Sequence, residues 1–142
     1  GKLLTEQWEK DNAKAYLGTV VPDFPNLFTL YGPNLQPGHG GSLIFVVEMQ
    51  VRYIMDMIQK MLRDEIGAVE IRREVHDEYN DEVDRAHEQM VWKHPGMTSY
   101  YRNERGRIVV NSPWRNVDFY EMTREVDLEE YLAEPLRELI AD

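Results

Sequence analysis

The longest regular pattern of apolar and polar positions predicts a helix from Ser42 to about Arg63. Ser42 is a residue type that caps helices, and the apolar positions after it recur at three- and four-residue spacing. The first turn is apolar all round, which is typical of a helix end that is buried. We expect Gly67 to end this helix.

A short apolar segment and a glycine-rich loop precede the helix. Residues 26–31 follow a proline and are rich in β-forming types, which predicts a buried strand. Residues 37–41 read Pro-Gly-His-Gly-Gly and predict a loop. A strand, a glycine loop and a helix N-terminus present backbone N–H groups to a cofactor or an anion in many α/β proteins. An ordinary strand-to-helix turn is the alternative.

The second half of the chain predicts shorter elements, and no linker divides it from the first half. The acidic residues of its first helix are expected to form a solvated face. The whole pattern predicts an α/β fragment that is helix-rich with a few short strands. The predicted elements are a strand over 68–72, helices over 73–91 and 116–124, a strand over 108–111 and a last amphipathic helix over 128–140.

Composition excludes several classes of protein. With 42% apolar and 30% charged residues, the 142-residue chain is globular rather than disordered. The absence of cysteine excludes a disulfide framework and a Cys-bound zinc. A net charge of −10 argues against a nucleic-acid surface. No apolar run is long enough to span a membrane and no secretory segment is present, so we expect a cytoplasmic protein without membrane contact.

Three histidines are candidates for chemistry. His39 lies in the glycine loop, where it could donate a proton or hydrogen bond to a ligand, or only fix the turn. His76 and His87 fall near the same face of one predicted helix. Their separation along that helix is about 16 Å, which is too far to share one ion, so no metal site is predicted.

One set of residues resembles a known family. Val21-Pro-Asp-Phe-Pro-Asn-Leu-Phe, Tyr31-Gly-Pro-Asn and Gly38-His-Gly-Gly-Ser resemble the C-terminal part of Baeyer–Villiger monooxygenases, most closely the 4-hydroxyacetophenone monooxygenase branch. The resemblance covers nearly the whole chain but only the last quarter of a family member. The dinucleotide fingerprints and the family fingerprint F-x-G-x-x-x-H-x-x-x-W belong to the earlier part and are absent here.

The resemblance implies a fold, an activity and cofactors. The fold would be the C-terminal part of an FAD-binding, Rossmann-like flavoprotein with two dinucleotide-binding domains. Residues 1–66 would supply its last strand, glycine-rich loop and flavin-facing helix, and residues 67–142 a helical cap region, all in the single C-terminal segment 1–142. The parent protein would be an enzyme that uses FAD, NADPH and O2 to oxidise ketones to esters. Its partners would be the rest of the parent chain and the ketone.

The resemblance also implies site residues, none of them catalytic. The backbone of Ser42 and Leu43 would contact the pyrimidine edge of the flavin. Ser99-Tyr100-Tyr101 takes the place of a Ser-Trp-Tyr that lies beside the nicotinamide, which makes Tyr100 a cap residue for NADP or substrate. The full set of implied cofactor-binding residues is Gly32, Pro33, Asn34, His39, Gly40, Gly41, Ser42 and Leu43.

Several alternatives remain open at this stage. Arg102, Arg105 and Arg107 could meet a cofactor phosphate or be the charges of a hairpin turn. The parent could be a related flavin monooxygenase that acts on nitrogen or sulfur. The chain could also be a non-catalytic module that binds an anion or associates with itself as a homo-oligomer. As an isolated segment, it is expected to bind FAD weakly or not at all and to be inactive.

Overall fold

The chain folds around one long helix, α2, with two small sheets beside it. The computed structural model describes residues 1–96 and 98–136. Single-turn 3₁₀ helices also occur at Val91–Lys93 and Leu128–Glu130. The remaining elements in chain order are α1 (Leu4–Gln7), β1 (Gln36–Pro37), α2 (Leu43–Arg63), β2 (Ile66–Ile71), α3 (Arg73–His87), β3 (Asn111–Ser112), α4 (Asn116–Met122) and β4 (Tyr131–Pro135).

Helix α2 confirms the prediction made from its periodicity. One face carries the buried residues Val46, Met49, Gln50, Tyr53 and Met57. These positions recur at three- and four-residue spacing, so they form one stripe against the core. Most of that stripe is apolar, and only the amide of Gln50 interrupts it.

The predicted end of α2 at about Arg63 is confirmed, but the prediction that Gly67 ends the helix was wrong. The helix stops at Arg63, and the chain reverses at Glu65, whose φ is +53°. A residue in the left-handed conformation just beyond a helix is a common way to end it, and a non-glycine residue fills the position here. Gly67 instead lies inside β2.

The last predicted helix was also wrong over its first eight residues. Leu128–Glu130 forms a 3₁₀ turn, and Tyr131–Pro135 is β4, which pairs antiparallel with β2. Tyr131 is buried beside α2, where its hydroxyl lies 2.7 Å from the hydroxyl of Tyr53. This buried contact favours the extended form over the helical pattern. Residues 137–140 of the prediction lie outside the described residues.

No strand forms at residues 26–31, contrary to the prediction. Asn26 has φ of +57° and Tyr31 has φ of +52°, and neither angle fits a strand. Isolated hydrogen bonds replace the regular pattern of a β-sheet. The Thr29 N–H donates to the Thr19 carbonyl at 2.8 Å, and the Tyr31 N–H donates to Gln50 Oε1 at 2.7 Å. The parallel strand before the glycine loop is instead β1, which pairs with β3.

Helix α3 forms as predicted but ends at His87 rather than at residue 91. Tyr79 and Val83 face the core, and the predicted solvated acidic face is confirmed by the exposed side chains of Glu74, Asp77, Glu78, Asp81 and Glu82. Helix α4 confirms the predicted helix over 116–124, apart from its last two residues. Within the described ranges, no helix has both the length and the apolar content to cross a bilayer.

Candidate functional site

The glycine-rich loop connects β1 to the N-terminus of α2 and is exposed. Gly41 has φ of +121°, a conformation that side chains rarely adopt. A Cβ atom at Gly41 would lie 2.5 Å from Nδ2 of Asn116. Glycine is therefore favoured here mainly by the backbone angle, and a side chain would also make the Asn116 amide move. Gly40 is exposed next to it, with open space around its Cα.

The N-terminus of α2 is not capped by a side chain. Ser42 occupies the cap position with extended backbone angles, but its hydroxyl makes no capping hydrogen bond. The first helical bond runs from the Val46 N–H to the Ser42 carbonyl at 3.2 Å. Among the described residues, no acceptor meets the N–H groups of Leu43, Ile44 or Phe45. The helix thus offers three free donors at its positive end.

The first turn of α2 is exposed, contrary to the expectation that it is buried. Ile44 is 69% exposed and Leu43 is 46% exposed. Together with Val47 and Val51 they line an open, almost purely apolar depression. Its apolar character fits a surface that another part of a larger protein covers, and no described residue packs on it.

A cleft of about 190 Å³ lies where the loop meets α4. Its walls are mostly apolar or aromatic, and a few polar groups from Ser112, Arg115 and Asn116 reach it. A small molecule with one polar group fits such a lining. The other lining residues are Leu35, Pro37, His39, Gly40, Val46, Trp114 and Phe119.

His39 stands at the exposed tip of the loop. Its ring centroid lies 5.2 Å from that of Trp92, at an interplanar angle of 49°. The ring therefore borders both the cleft and the indole. Its role toward a ligand remains a prediction.

The three predicted residues before β1 are engaged by the protein. The buried Asn34 donates from Nδ2 to the carbonyl oxygens of Ile108 at 2.8 Å and Asn111 at 3.2 Å. Gly32 packs against the Gly18 carbonyl so closely that a Cβ atom would collide with it. Pro33 between them is half-buried. Whether these residues also contact a cofactor remains a prediction.

Tyr100 lies near the start of the loop. Its side chain is exposed, and its hydroxyl accepts a hydrogen bond from Gln36 Nε2 at 3.0 Å. The Tyr101 ring lies 4.3 Å away, centroid to centroid. The structure thus brings Tyr100 to β1, on the loop's side of the molecule, while its function as a cap residue remains a prediction.

The three arginines after Tyr101, which are Arg102, Arg105 and Arg107, differ in their burial and in their hydrogen-bond partners. Arg105 pairs with Glu9 on the surface, and Arg102 donates to the carbonyl oxygens of Trp92 and His94. Arg107 is largely buried and bonds Asp84, the Ala13 carbonyl and the Asn34 amide. A turn does form at 103–107, closed by the Asn103 N–H and the Arg107 carbonyl, which confirms that part of the hairpin hypothesis. Of the three arginines, Arg105 is its surface charge, whereas Arg107 makes internal contacts that the sequence did not indicate.

His87 is the buried ionisable group nearest the loop, and sequence reasoning treated it only as a possible ligand. Its Nδ1 accepts the indole N–H of Trp92 at 2.9 Å. Burial and the positive charges of Arg107 and Lys93 outweigh Asp84 and lower the pKa of His87 to about 4. Within residues 1–96 and 98–136, no group of three or more His, Cys, Asp or Glu side chains could hold a metal ion.

The neutral state of His87 predicts a pH dependence of stability. An unfolded histidine titrates near 6.5, so the unfolded chain binds more protons than the folded chain between pH 6.5 and 4. The free energy of unfolding is therefore expected to fall by about 2 to 3 kcal/mol as pH drops through this window. Denaturant unfolding of the wild-type chain and a His87→Gln variant at several pH values measures this. The difference between the two should shrink on acidification; a constant difference would contradict the assignment.

The comparisons with known proteins agree on one kind of enzyme. The chain is 44% identical over 135 residues to an uncharacterized monooxygenase of Sinorhizobium fredii, a match that covers 95% of this chain and 20% of that protein. It is 34% identical over 132 residues to a Baeyer–Villiger monooxygenase of Pseudomonas aeruginosa, covering 92% of this chain and 25% of that protein. The chain is similar to one segment of a monooxygenase.

The structure comparison concerns the same class of protein. The fold matches part of an oxidized steroid monooxygenase bound to NADP with a TM-score of 0.81 at 21% identity, covering 95% of this chain and 26% of that one. At this identity the match shows the fold alone. No protein-family model matches the chain. The chain spans between a fifth and a quarter of the length of the curated relatives given above.

Proposed function

We propose that the chain is the C-terminal segment of a cytoplasmic Baeyer–Villiger monooxygenase that uses FAD and NADPH to oxidise a ketone to an ester. In this proposal the segment completes an FAD-binding, Rossmann-like fold of the 4-hydroxyacetophenone monooxygenase type. Residues 1–66 bring the glycine loop and α2 to the flavin, and residues 67–142 form the cap region. The observation that carries the proposal is the exposed, uncapped N-terminus of α2 behind Gly40 and Gly41.

The residues at this helix end fit an aromatic ring system with an electron-rich edge. Gly40 leaves open space above the loop. The free N–H groups of residues 43–45 can donate to ring oxygens and nitrogens, and the helix dipole favours negative charge there. The apolar depression at Ile44 and Val47 can meet the remainder of such a cofactor or the chain that binds it. When bound, FAD would supply the oxidation chemistry.

The cleft between the loop and α4 supports a place for the ketone. Trp114 and Phe119 provide an apolar lining, and Asn116 provides a side-chain amide that can orient a carbonyl oxygen. His39 and Gly40 belong both to the loop and to the cleft wall. A ketone in this cleft would therefore lie next to the part of the loop that faces the flavin. NADP would approach from the side of Tyr100.

A chimeric enzyme tests the proposal. This chain replaces the matching segment of the Pseudomonas aeruginosa monooxygenase, and FAD content and NADPH-dependent conversion of a ketone to an ester are measured. We expect both to be retained. A Gly41→Ala change in the chimera should weaken FAD binding at least tenfold, about 1.4 kcal/mol, because a Cβ atom strains the loop.

Gly106→Ala is the matched control, since Gly106 also has positive φ (+80°) but lies in a surface turn with open space around it. It should leave FAD binding unchanged. The isolated chain, titrated with FAD by fluorescence, should show no saturable binding. Oxidation of a thioether in place of the ketone would favour the nitrogen- or sulfur-oxidising alternative. A chimera without FAD, together with an isolated chain that sediments as a homo-oligomer, would favour the non-catalytic module.

A further inference from the structure

Two buried side chains, His87 and Trp92, contact the segment 34–39, which runs through β1 into the glycine-rich loop. His87 is 1% exposed and Trp92 is 6% exposed. Neither residue belongs to the loop, to the cleft or to the set that the sequence indicated for cofactor binding. Their contacts extend from the C-terminal end of α3 to the residues that lead into α2.

The first contact, between Trp92 and residues 38–39, supports the glycine-rich loop itself. The benzo ring of Trp92 lies directly against Gly38, so a Cβ atom there would come within 2.7 Å of Cη2 and 2.8 Å of Cζ3. The His39 ring packs on the same indole. Because Gly38 has no side chain, the loop backbone itself rests on the ring. The indole thereby limits where the loop backbone at Gly38 can lie.

The second contact, between His87 and Asn34, lies just before β1. Because Nδ1 of the neutral ring accepts the indole N–H, Nε2–H is left to donate to the main-chain carbonyl of Asn111, which also accepts a hydrogen bond from Asn34 Nδ2 at 3.2 Å. The two donor atoms, His87 Nε2 and Asn34 Nδ2, lie 3.3 Å apart on this shared acceptor. Asn34 has φ of +58° and donates its N–H to the Val109 carbonyl at 3.1 Å. The chain therefore turns sharply at the point where His87 touches it, immediately before it enters β1.

One hydrogen bond joins the two contacts. The Trp92 indole N–H donates to His87 Nδ1, which fixes the orientation of both rings. Arg102 holds the Trp92 turn from outside by donating from Nη2 to the Trp92 carbonyl at 2.9 Å and to the His94 carbonyl at 3.0 Å. The indole is thus fixed on its ring and on its backbone.

We propose that Trp92 and His87 are positioning residues that together set the conformation of the glycine-rich loop. The pair acts through the Gly38 backbone and, by way of the Asn111 carbonyl, through the Asn34 side chain, and it touches no ligand itself. We expect this loop conformation to present residues 40–45 to FAD, an expectation that rests on the proposed function. Loss of the indole should let the loop shift even though the core of the chain remains folded.

Trp92→Leu tests the loop conformation in the chain itself. With the glycines ¹⁵N-labelled, the amide signals of Gly38, Gly40 and Gly41 should shift or broaden, while those of Gly67 and Gly106 stay in place. The matched control is Trp8→Leu, because the Trp8 indole also donates to a main-chain oxygen, that of Lys14 at 2.8 Å, but lies on the N-terminal segment. The control should leave the loop signals unchanged.

A second variant separates positioning from bulk packing. His87→Gln keeps an amide oxygen that can accept the indole N–H, whereas His87→Leu does not. In the glutamine variant the amide signals of Gly38, Gly40 and Gly41 should stay close to their wild-type positions. In the leucine variant they should shift or broaden. If the loop glycines stay unmoved in both Trp92→Leu and His87→Leu, the proposal is overturned.

The chimeric enzyme separates this inference from the proposed function. There, Trp92→Leu should weaken FAD binding about tenfold, and Trp8→Leu less than about twofold. If the chimera binds no FAD but Trp92→Leu still shifts its loop signals, the positioning role of Trp92 and His87 is supported and the flavin assignment is rejected. An unchanged FAD affinity in a chimera that does bind FAD would overturn the positioning role.

Discussion

Arg107→Ala is expected to lower the free energy of unfolding by about 3 kcal/mol, because it removes one partner from a largely buried network. Arg107 donates from Nε to both carboxylate oxygens of Asp84, at 2.9 and 3.1 Å, and from Nη1 to the Ala13 carbonyl at 2.9 Å. Its Nη2 lies 3.3 Å from Oδ1 of Asn34. Without the guanidinium, the Ala13 carbonyl and Asn34 Oδ1 would lose a donor inside the protein, whereas water can hydrate Asp84, whose side chain is 37% exposed.

Arg105→Ala is the matched control for this measurement. Arg105 lies in the same turn and pairs with Glu9 on the surface, where both side chains are more than half exposed. A surface ion pair contributes at most about 1 kcal/mol, so this variant should unfold close to the wild type. Denaturant unfolding of the three proteins measures both changes. Equal losses for the two arginines would contradict the internal role assigned to Arg107.

Gln50→Ala should have an effect of similar size, about 3 to 4 kcal/mol. The Gln50 side chain is fully buried on α2. Its Oε1 accepts the Tyr31 N–H at 2.7 Å, and its Nε2 donates to Thr19 Oγ1 at 2.9 Å and to the Gly18 carbonyl at 3.1 Å. The alanine variant would leave a cavity, and polar groups of residues 18–19 and 29–31 would lose their hydrogen-bond partner on the helix.

Gln59→Ala on the exposed side of the same helix is the control for Gln50→Ala. Gln59 is solvent-exposed, so its loss should change stability by no more than about 0.5 kcal/mol. Thermal or denaturant unfolding compares the two variants under the same conditions. A small effect at Gln50 would mean that water replaces its hydrogen bonds and that the segment at 18–31 is held by other contacts.

Local patterns predicted the elements whose residues depend mostly on their own neighbours. The spacing of Val46, Met49, Tyr53 and Met57 defined the buried face of α2, because helical period and burial coincide over about three turns. The acidic face of α3 was predicted for the same reason. The glycines at 38–41 indicated a loop because few other residues adopt such backbone angles. The motif around that loop also carried the resemblance to monooxygenases.

The candidate site was predicted in part. Sequence reasoning named the loop and the first residues of α2, and the structure places them together at an exposed, uncapped helix end. It did not predict that Trp92 and His87 contact each other and support the loop from a distant part of the chain. The only sequence signal for them was a tryptophan five residues after a histidine, a pattern that many chains contain without such a contact.

The sequence by itself determined helices α2 and α3, the glycine loop and the acidic surface, since each depends on residues close together in the chain. Only the tertiary structure decided that residues 26–31 are irregular and that Tyr131–Pro135 is a strand. The tertiary structure alone showed that the side chain of Gln50 is buried in the protein and that of Arg107 largely buried. Gln50 bonds Thr19, 31 residues away, and Arg107 bonds Ala13, 94 residues away. A local pattern cannot encode such partners, because burial of a polar group becomes favourable only where distant segments satisfy it.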